Sequence, residues 1–146
     1  MNARIVTILV GLIILALGLL GLLDPEFAMK HILGVAVDPS RSANAVYGEV
    51  RATYGGLFVV MGVYTLLAAL DPVAHRARLL FIGLLWLGAC AGRLMGAYID
   101  GNPGLPGWAG VAFELFMGGA LVAAALLKPA TAPFAGAFVQ PTPSPP

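Results

Sequence analysis

The chain has 146 residues, of which 60% are hydrophobic and 10% are charged, and its mean hydropathy is +0.92. Soluble domains contain about 45–50% apolar and about 25% charged residues, so this composition excludes an ordinary water-soluble domain. A net charge of +1 excludes a strongly basic surface for nucleic acid. One cysteine and two histidines are too few for a disulfide framework or a structural zinc site, so no metal or cofactor is expected.

Four apolar segments predict an all-α integral membrane protein, built as a four-helix bundle. Residues 5–23 contain one polar side chain, Thr7, and at ~1.5 Å rise per residue they approach the ~30 Å thickness of the hydrocarbon layer. Three further spans are predicted at residues 45–70, 79–99 and 108–127. The alternative for residues 5–23 is a signal peptide, but this segment is longer than the usual core of ~7–15 residues and no small-residue cleavage site follows it.

Proline follows each predicted span. Because proline cannot continue an ordinary helix, these residues mark the ends of the spans. The last of these, Pro129, separates a four-helix transmembrane domain (residues 1–128) from a tail over residues 129–146, in which six residues are proline. Such a composition predicts a flexible or extended segment.

Two Asp-Pro pairs lie at predicted helix boundaries, where aspartate is a favoured N-cap and proline a favoured first residue. Asp24 is predicted to open a short interfacial helix over residues 26–33, with an irregular loop as the alternative. The apolar side chains expected to face lipid there are Phe27, Met29, Ile32 and Leu33. Asp71 is predicted to end one helix and start the next within a tight turn.

The distribution of lysine and arginine predicts the orientation of the spans. With four spans both termini share one side, and the basic residues counted there are Arg4, Arg76, Arg78 and Lys128. The opposite side has Lys30 and Arg41. The excess of basic residues on the side of the termini predicts that both termini lie in the cytoplasm. The protein is therefore predicted to be a multi-pass protein of the bacterial cytoplasmic (inner) membrane.

Four ionisable side chains inside the spans lie at similar depth, about 7–10 Å from the predicted outer boundary. They are Glu49 and Arg51 in the second span, Arg93 in the third and Glu114 in the fourth. Charged groups in a membrane usually face inward and pair, and these four sum to zero. We therefore predict one neutral network, with Arg93 and Glu114 as its first pair because a short loop joins their helices.

Helical geometry limits the rest of this network. Glu49 and Arg51 are two residues apart, about 200° around a helix, so they cannot reach the same neighbouring face. One of them is therefore expected to point along the interface or toward the first span. Tyr54 follows Arg51 by three residues on the same stripe and is predicted to join the network. Two interpretations remain open, a static clamp between helices and an outward-facing polar pocket in which an arginine holds an anion, a carbonyl or a lipid head group.

A stripe of small residues runs along the third span, at Gly88, Gly92 and Gly96. This spacing allows two helices in lipid to approach closely. Packing within the bundle is the expected role, and homodimerisation is the alternative.

The string Glu49-x-Arg51-x-x-Tyr54-Gly55-Gly56, followed by Gly92-Arg93 and Phe113-Glu114-Leu115, resembles an uncharacterised domain-of-unknown-function family of small four-helix bacterial membrane proteins. The resemblance extends to about Leu127 and implies a bacterial membrane protein with the same charged positions. It implies no activity, substrate or cofactor. A more distant resemblance is to DoxX-type four-helix proteins.

Two hypotheses for the function follow from these features. The first is a non-enzymatic accessory or scaffold module, clamped by the Glu/Arg network and assembled with a membrane-protein partner or a second copy of itself in the lipid bilayer. The alternative is binding or transport of a lipid, quinone or small amphiphile in an outer-leaflet pocket lined by Arg51, Arg93 and Glu114. Catalysis is not expected, because His31 and His75 lie in loops on opposite sides and no nucleophile-base pair is visible.

Overall fold

The computed structural model describes residues 2–35 and 43–127, and this part of the chain is helical with no β-strand. Helix α1 (Ala3–Leu23) is followed by α2 (Pro25–Phe27), which continues as a π-helical segment (Ala28–Leu33). Next come α3 (Ala43–Val50), a second π-helical segment (Arg51–Leu57) and α4 (Phe58–Ala68), in continuous succession. The last two helices are α5 (Arg76–Asp100) and α6 (Gly104–Leu126).

Within the described residues, four helices are long and apolar enough to cross a membrane, and they confirm the predicted all-α four-helix membrane fold. They cover Ala3–Leu23, Asn44–Ala68, Arg76–Asp100 and Gly104–Leu126. Their outward faces expose large apolar side chains such as Leu9, Val60, Phe81 and Phe116, as expected for surfaces in contact with lipid. The predicted tail at residues 129–146 lies outside the described residues.

The four spans form two helical pairs. Helix α1 packs against α4 and the second π-helical segment, and α5 packs against α6. Contacts of α1 with α6 and of α4 with α5 join the pairs around one core. The side chains buried most deeply in it include Ile14, Leu79, Met117 and Leu121.

Two threonines are also fully buried in this apolar interior. The hydroxyl of Thr7 donates a hydrogen bond to the Ala3 carbonyl, and that of Thr65 donates to the Met61 carbonyl, both at 2.8 Å. Each hydroxyl is satisfied by its own helix four residues earlier, so it adds no unpaired polar group to the core.

Glycines make the closest helix contacts, but not the glycines of the predicted stripe on α5. A Cβ on Gly18 would lie 2.5 Å from the Val59 nitrogen. In the other helical pair, a Cβ on Gly118 would lie 2.8 Å from the Gly83 carbonyl oxygen. These residues let the backbones of neighbouring helices approach, as small residues do in membranes.

The predicted packing role of Gly88, Gly92 and Gly96 within the bundle is wrong. A Cβ on Gly88 or Gly92 would meet no atom within 4 Å, and one on Gly96 would meet only the Asp100 carboxylate, at 3.8 Å. The buried face of α5 contains Ile82 and Trp86, and Gly88 lies about 200° around the helix from Trp86. The spacing identified a face of small residues, but not the face that points inward.

The short helix predicted after α1 is present. The side chain of Asp24 accepts a hydrogen bond from the Phe27 backbone nitrogen at 3.0 Å, as predicted for its N-cap. We call α2 and the π-helical segment after it, residues 25–33, the cover helix. Phe27 and Ile32 are exposed as predicted, whereas Met29 is buried, because this face of the cover helix packs toward the bundle.

The cover helix ends at Gly34, whose φ of +67° is in the left-handed region that favours glycine. A Cβ at this position would lie 2.8 Å from the Pro106 side chain. The end of the cover helix is therefore held close to the start of α6.

The predicted role of Asp71 as the start of the next helix is wrong. Its carboxylate accepts hydrogen bonds from the backbone nitrogens of Val73 and Ala74, at 3.1 and 3.0 Å. These bonds close a turn before α5, and the N-cap of α5 is His75. Asp71 thus stabilises the connection, which is longer than the tight turn that the Asp-Pro pair indicated.

Candidate functional site

An ion pair joins α5 to α6. The Arg93 Nε lies 2.7 Å from Glu114 Oε1 and donates a hydrogen bond to it. The side chain of Glu114 is 7% exposed and that of Arg93 is 34% exposed. The two residues meet because α5 and α6 are consecutive antiparallel helices joined by residues 101–103, which was the basis for predicting this pair.

Gly110 makes room for the guanidinium. It lies four residues before Glu114 on α6, and a Cβ there would be 3.2 Å from both Cζ and Nε of Arg93. Any larger residue at this position would press on the arginine.

The predicted four-charge network does not form. Among the residues that the structure describes, Arg93 and Glu114 make the one salt bridge. Glu49 is exposed, and so is Arg51, whose Nε donates a hydrogen bond to the Leu22 carbonyl at 3.3 Å. Arg51 therefore contacts the last turn of α1, not the charges on α5 and α6.

The π-helical segment explains this correction. Sequence spacing assumed 100° per residue, which puts Arg51 and Tyr54 on nearly the same face. Residues Arg51–Leu57 instead form wider π-helical turns with i→i+5 hydrogen bonds, so each residue advances by a smaller angle. Tyr54 then faces the interior beside Arg93 and Glu114, while Arg51 remains outside.

A cavity of about 560 Å³ lies next to the ion pair. The polar side chains of its wall are those of His31, Tyr54, Arg93 and Glu114. The cover helix and the start of α6 close one side. Four aromatic rings, each in contact with the next, line the cavity. The distances between neighbouring ring centroids are 5.5 Å for Tyr54 and Phe58, 5.1 Å for Phe58 and Trp86, and 5.6 Å for Trp86 and Phe113. We call this space the aromatic cavity.

Two buried polar atoms of the residues that line this cavity have no hydrogen-bond partner within the described part of the chain. They are Trp86 Nε1 and Glu114 Oε2. The indole nitrogen is a donor only, and the ionised carboxylate oxygen is an acceptor only. Leaving a buried polar group unsatisfied costs about 1–3 kcal/mol, and ordered water commonly satisfies such atoms inside proteins.

A second cavity of about 300 Å³ lies on the other side of Arg93. Asp100, Asn102 and Gly107 line it, at the connection between α5 and α6. The Asn102 amide oxygen accepts hydrogen bonds from the Gly104 backbone nitrogen and from Trp108 Nε1, at 3.1 and 3.0 Å. Arg93 is part of the wall of both cavities, which explains why its side chain is more exposed than that of Glu114.

Sequence reasoning missed the aromatic part of the site. Trp86 was a detectable signal, because it lies in the middle of α5, whereas membrane tryptophans concentrate at the interfaces. Phe58 and Phe113 gave no such signal, since a phenylalanine in an apolar span is equally compatible with contact to lipid. No group of three His, Cys, Asp or Glu side chains in residues 2–35 and 43–127 is placed to hold a metal ion.

The fold and the site define a small four-span helical membrane protein with a buried Arg-Glu pair beside an aromatic cavity. The chain belongs to the family described as domain of unknown function DUF4345, which matches residues 2–125. The match includes every described residue of the site. No curated protein and no solved structure shows significant similarity to this chain.

Proposed function

We propose that this protein binds a small amphiphile in the aromatic cavity and is not an enzyme. The observation that carries the proposal is the cavity of about 560 Å³, whose wall combines the Arg93–Glu114 ion pair and Tyr54 with a series of aromatic rings. The polar head group of a bound amphiphile would lie against the polar side chains of this wall. The aromatic rings and the cover helix would surround its apolar body.

The size and lining of the cavity support this function. Small-molecule sites typically occupy about 300–1,000 Å³ and combine apolar walls with a few polar groups, and about 560 Å³ falls within that range. The carboxylate is already paired with Arg93, which argues for recognition and against its use as a catalytic base. We place Arg51 outside the binding site, although the sequence suggested it as a ligand contact.

The proposed location is the bacterial inner membrane with both termini in the cytoplasm. In that orientation the end of α5 and the start of α6 face the periplasm, so the aromatic cavity lies in the outer half of the bilayer. A lipid-soluble ligand would reach it from the outer leaflet.

An accessory or scaffold role is the second candidate. It is favoured by the open face of α5, where Gly88 and Gly92 have no neighbour within 4 Å. A helix of a partner protein or of a second copy would pack closely against such a face. The Arg93–Glu114 pair would then serve only to hold α5 against α6.

A cavity-filling substitution tests the binding function. Ala109 lines the aromatic cavity, whereas Ala112 is exposed on the same helix and does not line it. We expect native mass spectrometry of the protein in mild detergent to show a retained small molecule in the wild type. Ala109→Trp should lose it, because the indole occupies the cavity, and Ala112→Trp should keep it.

Equal retention by both variants would place the ligand elsewhere and contradict the proposal. A wild-type protein that neither retains nor takes up any amphiphile, but copurifies with a stoichiometric partner, would establish the scaffold role in its place. Elution as a single species checks that each variant is folded.

A further inference from the structure

We infer that the aromatic cavity selects an uncharged amphiphile whose polar head contains a carbonyl group. This inference rests on the proposed function and names the chemical class of the ligand. It follows from which polar groups of the cavity wall are accessible. Hydrogen-bond donors are accessible there, whereas the oxygens of the buried carboxylate are not.

Glu114 offers no hydrogen-bond acceptor to a molecule in the cavity. Its Oε1 accepts from Arg93 Nε at 2.7 Å, and its Oε2 is buried with almost no accessible surface. The indole Nε1 of Trp86 is buried to the same extent, so it is not reached from the cavity either. A head group that must donate a hydrogen bond, such as an ammonium or a hydroxyl, therefore finds no free carboxylate oxygen.

Arg93 supplies accessible donors. Its side chain is 34% exposed, and Nε alone is bonded to Glu114, so the N–H groups of Nη1 and Nη2 remain. Within residues 2–35 and 43–127, neither Nη nitrogen donates a hydrogen bond to the protein. A Cβ on Gly110, another residue of the cavity wall, would lie 3.3 Å from Nη1. The missing side chain at Gly110 therefore leaves this part of the guanidinium uncovered.

Tyr54 supplies a second donor on the same wall. Its phenol lies close enough to Arg93 to interact with the guanidinium charge. His31 differs from these two residues, because its Nδ1 already donates to the Phe27 carbonyl at 3.3 Å. The His31 ring is also exposed on the cover helix, so it does not depend on a ligand for a partner.

A carbonyl oxygen fits these donors. It has two lone pairs, so it is able to accept one hydrogen bond from the Arg93 guanidinium and one from the Tyr54 hydroxyl. It brings no N–H or O–H group that would be left without an acceptor in an apolar space. A hydroxyl head also accepts, but its own proton has no carboxylate oxygen to bond, because Glu114 is covered.

The ion pair favours a neutral head over an anion. The Glu114 carboxylate lies 2.7 Å from Arg93 Nε, so the positive charge of the guanidinium is already compensated. An anionic head would lose its hydration on entering the apolar cavity, without an unpaired cation to replace it. A carbonyl loses much less hydration and still receives a charge-assisted hydrogen bond from the arginine.

Trp86 provides a fluorescence signal from the cavity wall. Its ring lies between those of Phe58 and Phe113, with centroids 5.1 and 5.6 Å away. The other tryptophan of the chain, Trp108, does not line the cavity, so the variant Trp108→Phe reports from Trp86 alone. Because bromine quenches tryptophan at short range, a brominated amphiphile in the cavity lowers this fluorescence.

The experiment titrates Trp108→Phe in dodecyl maltoside, a detergent without carbonyl groups, at about pH 9, where a carboxylic acid is ionised. The four probes are methyl 11-bromoundecanoate, 11-bromo-1-undecanol, the anion 11-bromoundecanoate and the acceptor-free 1-bromododecane. We expect saturable quenching by the ester, reversed by an excess of unbrominated methyl undecanoate. Its affinity, expressed as a mole fraction in the micelle, should exceed that of each other probe about five- to tenfold, as one additional hydrogen bond provides.

A second variant tests the proposed donor directly. Trp108→Phe/Tyr54→Phe removes one hydroxyl, so it should weaken ester binding about three- to tenfold and leave the affinity for 1-bromododecane unchanged. The matched control is Trp108→Phe/Tyr98→Phe, which removes the hydroxyl of an exposed tyrosine outside the cavity and should change neither affinity. An equal change for both probes in the Tyr54 variant would indicate a packing role and contradict the assignment of this donor.

The outcomes separate the inference from the proposed function. Equal or tighter binding of the alcohol, the anion or 1-bromododecane, compared with the ester, overturns the carbonyl inference while the binding function stands. An unchanged preference for the ester in the folded Tyr54→Phe variant overturns the assignment of its donor. Saturation by none of the four probes overturns both the inference and the binding function.

Discussion

Glu114 has two oxygens in different surroundings. Oε1 accepts from Arg93 Nε at 2.7 Å, and Oε2 is buried without a partner. The carboxylate is almost fully buried, while the arginine keeps part of its surface exposed. At the residue scale, therefore, Glu114 depends on Arg93 more than Arg93 depends on Glu114.

This asymmetry gives a prediction for stability. Arg93→Met leaves the buried Glu114 carboxylate without its counter-charge, and we expect it to destabilise the folded protein by about 1–3 kcal/mol. The double variant Arg93→Met/Glu114→Met removes both charges and should recover most of the loss. Thermal unfolding in detergent, monitored by circular dichroism, measures both effects.

The matched control is Arg51→Met. Arg51 is exposed and makes one hydrogen bond, to the Leu22 carbonyl, so its loss should change stability by less than that of Arg93. A double variant that is no more stable than Arg93→Met would contradict the electrostatic explanation.

At the element scale, the contacts between helices are made by glycines that lie opposite backbone atoms. Gly118 of α6 lies against the Gly83 carbonyl of α5, and Gly18 of α1 lies against Val59 of α4. The longest stripe of small residues, on α5, faces away from the bundle. Spacing therefore predicts that a helix has a face able to approach another helix, but the direction of that face depends on the rest of the packing.

A pair of alanine substitutions tests this distinction. Gly118→Ala brings a Cβ to 2.8 Å from the Gly83 carbonyl oxygen, so it must separate α5 from α6 and should lower the unfolding temperature. Gly88→Ala meets no atom within 4 Å and should be neutral or stabilising, by up to about 1 kcal/mol, because alanine favours a helix more than glycine does.

Thermal unfolding of the two variants in the same detergent decides the outcome. If Gly88→Ala destabilises the protein as much as Gly118→Ala, the outward face of α5 has a contact with another chain. If Gly118→Ala is neutral, the close approach of α5 and α6 is not required.

At the scale of the whole molecule, the sequence predicted the elements better than the site. Hydropathy located the four spans, because length and apolar composition are local properties. The Arg93–Glu114 pair was predicted from two properties. The residues lie at similar depth in their spans, and a short loop makes the two helices neighbours. Arg51 was assigned to the network by its depth and by charge balance, but neither property determines which neighbouring helix a side chain faces, and Arg51 contacts α1. The aromatic cavity was not predictable, because its volume depends on how all four spans and the cover helix pack together.

The orientation in the membrane also belongs to this scale. In a Cys90→Ala background, Lys30→Cys lies on the cover helix and Ala74→Cys lies in the turn before α5, both exposed. The distribution of basic residues predicts that a membrane-impermeant maleimide labels Lys30→Cys, and not Ala74→Cys, when applied from the periplasmic side. Labelling after lysis serves as the control for both sites, and the reverse pattern would invert the topology.

Arg93 borders both the aromatic cavity and the smaller space near Asp100 and Asn102. Its side chain therefore lies between the aromatic cavity and the smaller cavity at the C-terminal end of α5. Shortening this side chain would merge the two volumes into one passage that runs from the loop at residues 101–103 to Trp86. Arg93 therefore has two roles: it neutralises Glu114 and it separates the two cavities.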